Sequence, residues 1–270
     1  MFDLHSRARR IVIPAQIHPT AIIDPQADLG REVQVGPFAV IEGGTKIGDH
    51  TVIMSHASVL YGTTVGSHCR IFQGAVVGGI PQDLKYDGAD TRLVIGDNTT
   101  IREFVTIGRG TKSGEPGTVI GSQTLLMAYV HVGHDSIIGD HVIVANSVNL
   151  GGYVHIHDHA SIGAGTPVHQ FCHIGTHTFI GGGYRLVQDV PPYILASGNP
   201  LHYTGINSVG LRRLGFTAET RRTLKRLYKL IYRSTYNLPQ AVEIIKNDME
   251  PTPEVKTVLA FIEDSTRGLI

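Results

Sequence analysis

Two cysteines, Cys69 and Cys172, are all that 270 residues provide. They can close at most one bridge, which excludes a disulfide framework and fits a reducing compartment. Charge is scarce as well. Only 17% of the residues are Asp, Glu, Lys or Arg, and the 23 basic side chains cancel the 23 acidic ones. A chain with no net charge has no overall field to draw in nucleic acid or an anionic membrane, so an electrostatic partner must be read by a local patch. No aromatic-rich basic surface or nucleic-acid motif is present, and no such partner is expected. Long apolar runs are missing too. The basic N-terminus precedes only Ile11-Val12-Ile13 before Pro14, too little for a signal-peptide core. Nothing approaches the roughly 20 apolar residues of a spanning helix. A cytoplasmic protein without an integral membrane segment is expected.

What fills the chain instead is a repeat of six. From Ile17, every sixth residue through Val77 is Ile, Leu or Val. The same phase returns at Ile95, Ile101 and Ile107, slips by one, and runs from Ile120 to Leu186. All 26 positions are branched aliphatics, which chance does not produce. Two residues before each lies Ala, Val, Thr, Ser or Cys in 24 cases; Leu93 and Tyr184 are the exceptions. Residues i and i−2 of a strand share a face, so each hexad sends one small and one bulky side chain inward. Gly follows the aliphatic in 14 of 26 cases, which we read as a left-handed corner conformation after each short strand. Three hexads per turn predict a parallel β-helix of about nine coils, spaced about 4.8 Å apart. Both cysteines fall on the small inward position and read as core filler.

Two segments break the phase, near 79–92 and 109–117. A packed coil must loop such insertions outward, where repeat proteins often bind their ligands. The repeat ends near Val190-Pro191-Pro192. Beyond it the apolar period becomes helical: Leu224, Leu227, Tyr228, Ile231 and Tyr232 share a face between Thr217 and Ser234. A second helix is expected after Pro239 and a third from Pro253. The chain thus divides into an extension over 1–14, the β-helix over 15–192, and a small C-terminal helical domain over 193–270.

Fifteen histidines have to be placed against this frame. His131 and His134 flank Val132 and so lie on the outside of the coil, as do His155, His157 and His159. Asp135 follows His134. A carboxylate beside an imidazole can fix its tautomer and support the imidazolium formed when it takes a proton. General-base help of that kind is worth ~10²–10⁴-fold to a hydroxyl nucleophile.

Several segments go beyond the generic repeat: Gln82-Asp83-Leu84-Lys85-Tyr86, Ile101-Arg102-Glu103, Arg109-Gly110-Thr111, His131-Val132-Gly133-His134-Asp135, Val168-His169-Gln170-Phe171-Cys172 and Gln188-Asp189-Val190-Pro191-Pro192-Tyr193. Gly205-Ile206-Asn207, Gly210-Leu211-Arg212-Arg213, the Tyr228–Ser234 segment and the tail Ser265-Thr266-Arg267-Gly268-Leu269-Ile270 complete the set. In order and spacing, from about residue 14 to 270, they resemble the UDP-N-acetylglucosamine O-acyltransferases of lipid A synthesis. The resemblance implies a left-handed coil, against the usual right-handed crossover rule, and a homotrimer with sites in the clefts between subunits. It implies a 3-hydroxyacyl donor on the phosphopantetheine of acyl carrier protein, the 3-hydroxyl of the UDP-sugar as acceptor, and no further cofactor or metal. By similarity His134 is the general base, Asp135 orients it, and the Gly152 N–H meets the oxyanion. Gln82, Asp83, Lys85 and His131 are implied to face the substrate, and His169 and Gln170 the nucleotide and pantetheine. Asn207 and Arg213 are implied to face the phosphates or the carrier protein, and Gly182 to limit acyl length.

Three positions depart from the family, which often has His where this chain has Tyr153, Gly108 and Pro200. A basic face on the first of the expected helices, Arg222, Arg226, Lys229 and Arg233, suits an acidic carrier protein. Three other readings compete. A γ-carbonic-anhydrase-type metal enzyme would use His131 and His134 as ligands, but would leave the helical domain without a role. The related N-acyltransferase carries an extra N-terminal domain, for which a repeat starting near residue 15 leaves no room. A non-catalytic repeat scaffold would tolerate His134→Ala.

Overall fold

The computed structural model describes residues 17–112, 114 and 116–270; the expected extension over 1–14 lies outside them. Hexads become strands mostly two residues long, because each must turn a corner before the next aliphatic. The strands stack into three parallel sheets, the faces of a triangular prism. The first face runs from Ile22–Ile23 to Pro167–Val168, and the second from Asp28–Leu29 to His173–Ile174. The third runs from Gln34–Val35 to Phe179–Ile180 and is extended by Ile194–Ser197 and His202–Ile206. Register is strict: Val76-Val77, Thr106-Ile107, His131-Val132, Asn149-Leu150 and Pro167-Val168 lie one above another. This is the left-handed parallel β-helix that the resemblance implies.

The aliphatic ladder is the core. Ile41, Ile71, Ile101, Leu126, Val144, Ile162 and Ile180 are all at most 1% exposed, and the small residues Ala39, Ala57, Cys69, Ala75 and Cys172 are fully buried between them. Burying each large aliphatic contributes roughly 1.5–3 kcal/mol relative to leaving it in water. Burial also pushes both thiols up to about 11, so neither is a nucleophile near neutral pH.

The corners correct one expectation. Except at Gly78, where the first insertion begins, the left-handed residue is not the glycine after the aliphatic but the residue two places further on. Among the described residues, seventeen other than glycine take positive φ there, including Phe104, Tyr129, Asp135, Tyr153, His159, Phe171 and His177. Left-handed backbone costs an L-residue roughly 1–2 kcal/mol. Here the same geometry stacks rings up the corners, as in His141–His159–His177, spaced 4.6 Å apart. The glycine after the aliphatic is needed for closeness. A Cβ on Gly48 would lie 2.5 Å from the carbonyl carbon of Gly66, and one on Gly133 would lie 2.6 Å from that of Gly151.

The segment expected to be helical from 193 opens with strands. Ile194–Ser197 adds in parallel to Phe179–Ile180, and His202–Ile206 pairs antiparallel to it. Four helices follow rather than three: α1 (Ser208–Arg213), α2 (Ala218–Arg233), α3 (Leu238–Asp248) and α4 (Pro253–Asp264). Thr217 caps α2 by accepting from the Thr220 N–H, and Asn237 with Gln240 forms a capping box on α3. The buried edge of α2 is Leu224, Leu227 and Tyr228; the Tyr228 hydroxyl donates to the Pro192 carbonyl at 2.5 Å, which ties the helices to the end of the coil. Arg222, Arg226, Lys229 and Arg233 remain exposed on α2.

Candidate active site

One corner of the prism, between the first and second faces, collects almost every singled-out residue. Both insertions leave from it: the first after the strand Val76–Gly79, the second after Thr106–Gly108. In the next three coils the same corner holds His134 and Asp135, then Gly152 and Tyr153, then Gln170 and Phe171. The insertions are tied together. Arg109 donates to the Tyr86 hydroxyl at 3.2 Å and to the Gly78 carbonyl at 3.3 Å, while the Gly110 N–H donates to the Arg92 carbonyl.

His134 Nδ1 lies 2.7 Å from Asp135 Oδ2. Asp135 is 3% exposed, so its carboxylate needs internal donors to be held there. Thr111 supplies two, its N–H to Oδ1 at 2.8 Å and its hydroxyl to Oδ2 at 2.7 Å. The Asp135 N–H donates to the Thr118 hydroxyl at 2.8 Å. With Nδ1 engaged by a carboxylate, the imidazole keeps its Nε2 lone pair for another proton. His134 retains 16% side-chain exposure, enough to be reached.

Gly152 lies in the coil above. A Cβ there would sit 2.8 Å from Cε1 and 2.9 Å from Nε2 of His134. Its φ is not positive, so room for the imidazole, not conformational freedom, is what glycine supplies. At the next corner, the N–H groups of Arg31, Ser67, Ser122 and Asp140 occupy the equivalent place, and each is capped by an Asp of the following coil. Gln170 follows Gly152 instead, and the Gly152 N–H donates to no protein atom among the described residues.

An open groove of about 520 Å³ runs along this corner. Gln82, Ile80, His131, His134, Gly152 and Gln170 are among its lining residues. His131 Nδ1 lies 2.8 Å from the Thr106 hydroxyl, and burial, helped by nearby His134, pushes its pKa below the ordinary imidazole value. Asp83 and Lys85 line a smaller pocket of about 280 Å³ with Thr111 and Lys112. His169 stands on the same corner but outside the groove lining, with Nδ1 3.0 Å from the Gln170 carbonyl. Three expected residues lie elsewhere on the chain. Asn207 caps α1, accepting from the Gly210 N–H and donating to the His177 carbonyl. Arg213 is exposed at the end of α1. Gly182 sits at the third-to-first corner, where a Cβ would lie 2.8 Å from the Ala164 carbonyl oxygen.

Sequence reading missed the supports Thr111, Thr118 and Thr106. Thr111 was visible only as part of the Arg109-Gly110-Thr111 motif. Tyr153 was noted as a departure, and its ring stands edge-on to His134 at 5.4 Å and stacks on Phe171 at 4.8 Å.

Residues 189–270 match the family model described as UDP-N-acetylglucosamine O-acyltransferase, domain 2, and residues 117–152 match the bacterial transferase hexapeptide model. Over 255 residues the chain is 60% identical to the acyl-[acyl-carrier-protein]–UDP-N-acetylglucosamine O-acyltransferase of Chlorobaculum parvum, covering 94% of this chain and 96% of that one. A protein of the same name from Chlorobium phaeobacteroides is 61% identical over 93% of this chain and 96% of its own length. Among solved structures, the UDP-N-acetylglucosamine acyltransferase of Bacteroides fragilis superposes with a TM-score of 0.93 at 43% identity, covering 94% of this chain and all of that one. Likeness at this level to proteins named as acyltransferases overturns the γ-carbonic-anhydrase alternative. The coil, its insertions and its helical end agree with these relatives over nearly their whole length, and the chain belongs to the UDP-N-acetylglucosamine O-acyltransferase family.

Proposed function

We propose that this chain transfers a 3-hydroxyacyl group from acyl carrier protein to the 3-hydroxyl of UDP-N-acetylglucosamine, the first step of lipid A biosynthesis, with His134 as general base. The observation that carries the reading is the Asp135–His134 pair opening onto a groove beside Gly152. Nε2 of His134 takes the proton from the sugar hydroxyl as its oxygen attacks the thioester carbonyl. The Gly152 N–H donates to the oxyanion of the tetrahedral intermediate. Collapse breaks the C–S bond, and the imidazolium returns its proton to the leaving thiolate of the phosphopantetheine. The side chains and the two substrates balance the reaction, with no further cofactor.

Gln82, Asp83, Lys85 and His131 face the sugar end, with His131 kept neutral by burial. His169 and Gln170 lie toward the nucleotide and pantetheine. Asn207, Arg213 and Gly182 do not line this groove, which supports a homotrimer in which a neighbouring copy brings Asn207 and Arg213 to the phosphates or the carrier protein, and Gly182 to the end of the acyl chain. The exposed basic face of α2 suits an acidic carrier. The cytoplasm is the expected compartment, and no helix among the described residues is long and apolar enough to cross a membrane.

The test is incubation of the purified chain with UDP-N-acetylglucosamine and a series of 3-hydroxyacyl carrier proteins, followed by mass spectrometry. We expect one acyl ester per sugar and a narrow range of accepted lengths. No acylated sugar with any donor would refute the assignment.

A further inference from the structure

We propose that Gly79 and Gly108 determine acceptor specificity: together they leave a side-chain-free window in the groove that receives the 2-acetamido group of the sugar and sets how large that group can be. This rests on the acceptor proposed above and names the part of it that the groove measures.

The groove is lined by glycines of two kinds. Gly133, Gly151 and Gly152 leave no room for a side chain. A Cβ on them would lie 2.6 Å from the Gly151 carbonyl carbon, 2.8 Å from the Gln170 N and 2.8 Å from His134 Cε1, respectively. Gly79 and Gly108 are not crowded. A Cβ on Gly108 would meet its nearest neighbour, the His134 N, at 3.4 Å. One on Gly79 would meet the Ile107 carbonyl oxygen at 3.7 Å and Val76 Cγ1 at 4.0 Å. These are ordinary contacts. Neither residue has a positive φ, so neither uses the conformational freedom of glycine. Each ends a strand, where glycine costs entropy and packs nothing. Backbone and neighbours would both accept a side chain at these positions. What it would fill is the groove.

The two glycines are also neighbours. Gly79 pairs with Gly108 in the ladder between Val76–Gly79 and Thr106–Gly108, so bare backbone extends over two consecutive coils, about 4.8 Å apart. The next coil carries His134 and the one after it Gly152, which gives the order Gly79, Gly108, His134, Gly152 along the groove. The thioester carbonyl is drawn to the Gly152 N–H, at one end of this row. A hydroxyl attacking from His134 Nε2 therefore has its sugar on the other side, over Gly108 and Gly79. The acetamido group on the carbon beside the reacting one extends about one coil step, about 4.8 Å, from that hydroxyl. Val76 and Ile80 flank the window. Such apolar surface suits an acyl methyl, whereas a sugar hydroxyl buried against it would need a partner.

The experiment measures kcat/KM for UDP-glucosamine carrying an N-formyl, N-acetyl or N-propionyl group, and the accepted lengths of 3-hydroxyacyl carrier protein. Wild type, Gly108→Ala, Gly79→Ala and Gly79→Val are compared, with a thermal melt of each. Wild type should use all three acceptors with kcat/KM values within about tenfold of one another, because the window is open. One methylene in a filled pocket is worth about 10–200-fold. Gly108→Ala and Gly79→Val should therefore each lower kcat/KM for the N-propionyl acceptor at least about tenfold relative to the N-formyl one, and Gly79→Ala less than Gly79→Val. The accepted acyl lengths and the KM for the carrier protein should stay as in wild type. A variant that melts early still reports, since acceptor selectivity is a ratio set by the folded fraction alone. Acceptor ratios in the variants equal to those of wild type, or an altered range of acyl lengths with unaltered acceptor ratios, would overturn the proposal. So would a wild type that rejects the N-propionyl acceptor by more than about 100-fold. A wild type that acylates none of the three refutes the proposed function itself, a result distinct from an active wild type whose ratios the variants leave unmoved.

Discussion

Gly152 and His134 are packed so closely that a single methyl group on the glycine would come within 2.8 Å of the imidazole Cε1 and 2.9 Å of its Nε2. The contact joins the proposed base to the proposed oxyanion donor across one step of the coil. Gly152→Ala should displace the ring while leaving the coil intact, because the backbone there is not left-handed. We expect kcat to fall by about 10²–10³-fold with little change in melting temperature. Steady-state kinetics beside a melt would show it.

Asp135 holds His134 by accepting from Nδ1. In Asp135→Asn the amide can present N–H to the ring and select the other tautomer, with the proton on the nitrogen that should be free. A loss of about 10²–10⁴-fold in kcat is expected, with KM values largely kept. Kinetics at saturating acyl carrier protein are the check. An Asn variant with near-normal kcat would mean that tautomer selection does not matter.

Acid should loosen the corner that carries the helical end. His177 stacks on His159 at 4.6 Å and on Tyr193 at 5.5 Å, and meets Phe216 edge-on. Its Nδ1 is buried without a hydrogen-bond partner among the described residues. Burial, with His159 adding to it, pushes its pKa from 6.5 down to about 4. The unfolded chain therefore takes up a proton that the folded chain refuses, so this contribution to stability is full above about pH 6.5 and is lost as pH falls toward 4. His131, His155, His157 and His159 are lowered by burial too and act in the same direction. Thermal melts from pH 8 to 4.5 should decline below 6.5, and His177→Phe, which keeps the stack, should decline less steeply.

If the site is shared between copies, variants should complement one another. His134→Ala and Arg213→Ala homotrimers should each be inactive or nearly so. Co-expressed, they should form mixed trimers in which some clefts pair an intact His134 with a neighbour's intact Arg213. Recovery of activity is expected. Its absence, with mixed trimers demonstrated, would place both residues in one subunit's own site.

Much of this is legible in the sequence alone. The ladder from Ile17 to Leu186 specifies the coil, because only a strand with six residues per corner buries every aliphatic at once. The helical period after Pro192 gave α2, and the adjacency of His134 and Asp135 gave the pair, since neighbours in sequence need no fold to meet. What was hidden depends on stacking. Thr111 reaches Asp135 only because the second insertion carries it off the 18-residue spacing between coils, which a periodic reading cannot follow. The glycines were found but misassigned, because their constraint is the coil above and not their own φ. The strands Ile194–Ser197 and His202–Ile206 lie past the prolines that end the hexad phase, and α1, six residues long, is too short to show a period.

The most direct test concerns one imidazole. The initial rate of sugar acylation should be compared for wild type and His134→Ala, with UDP-N-acetylglucosamine and the preferred 3-hydroxyacyl carrier protein both saturating and the melting temperatures matched. The account predicts a loss of at least about 10²-fold in the variant. A variant retaining most of the wild-type rate would contradict it.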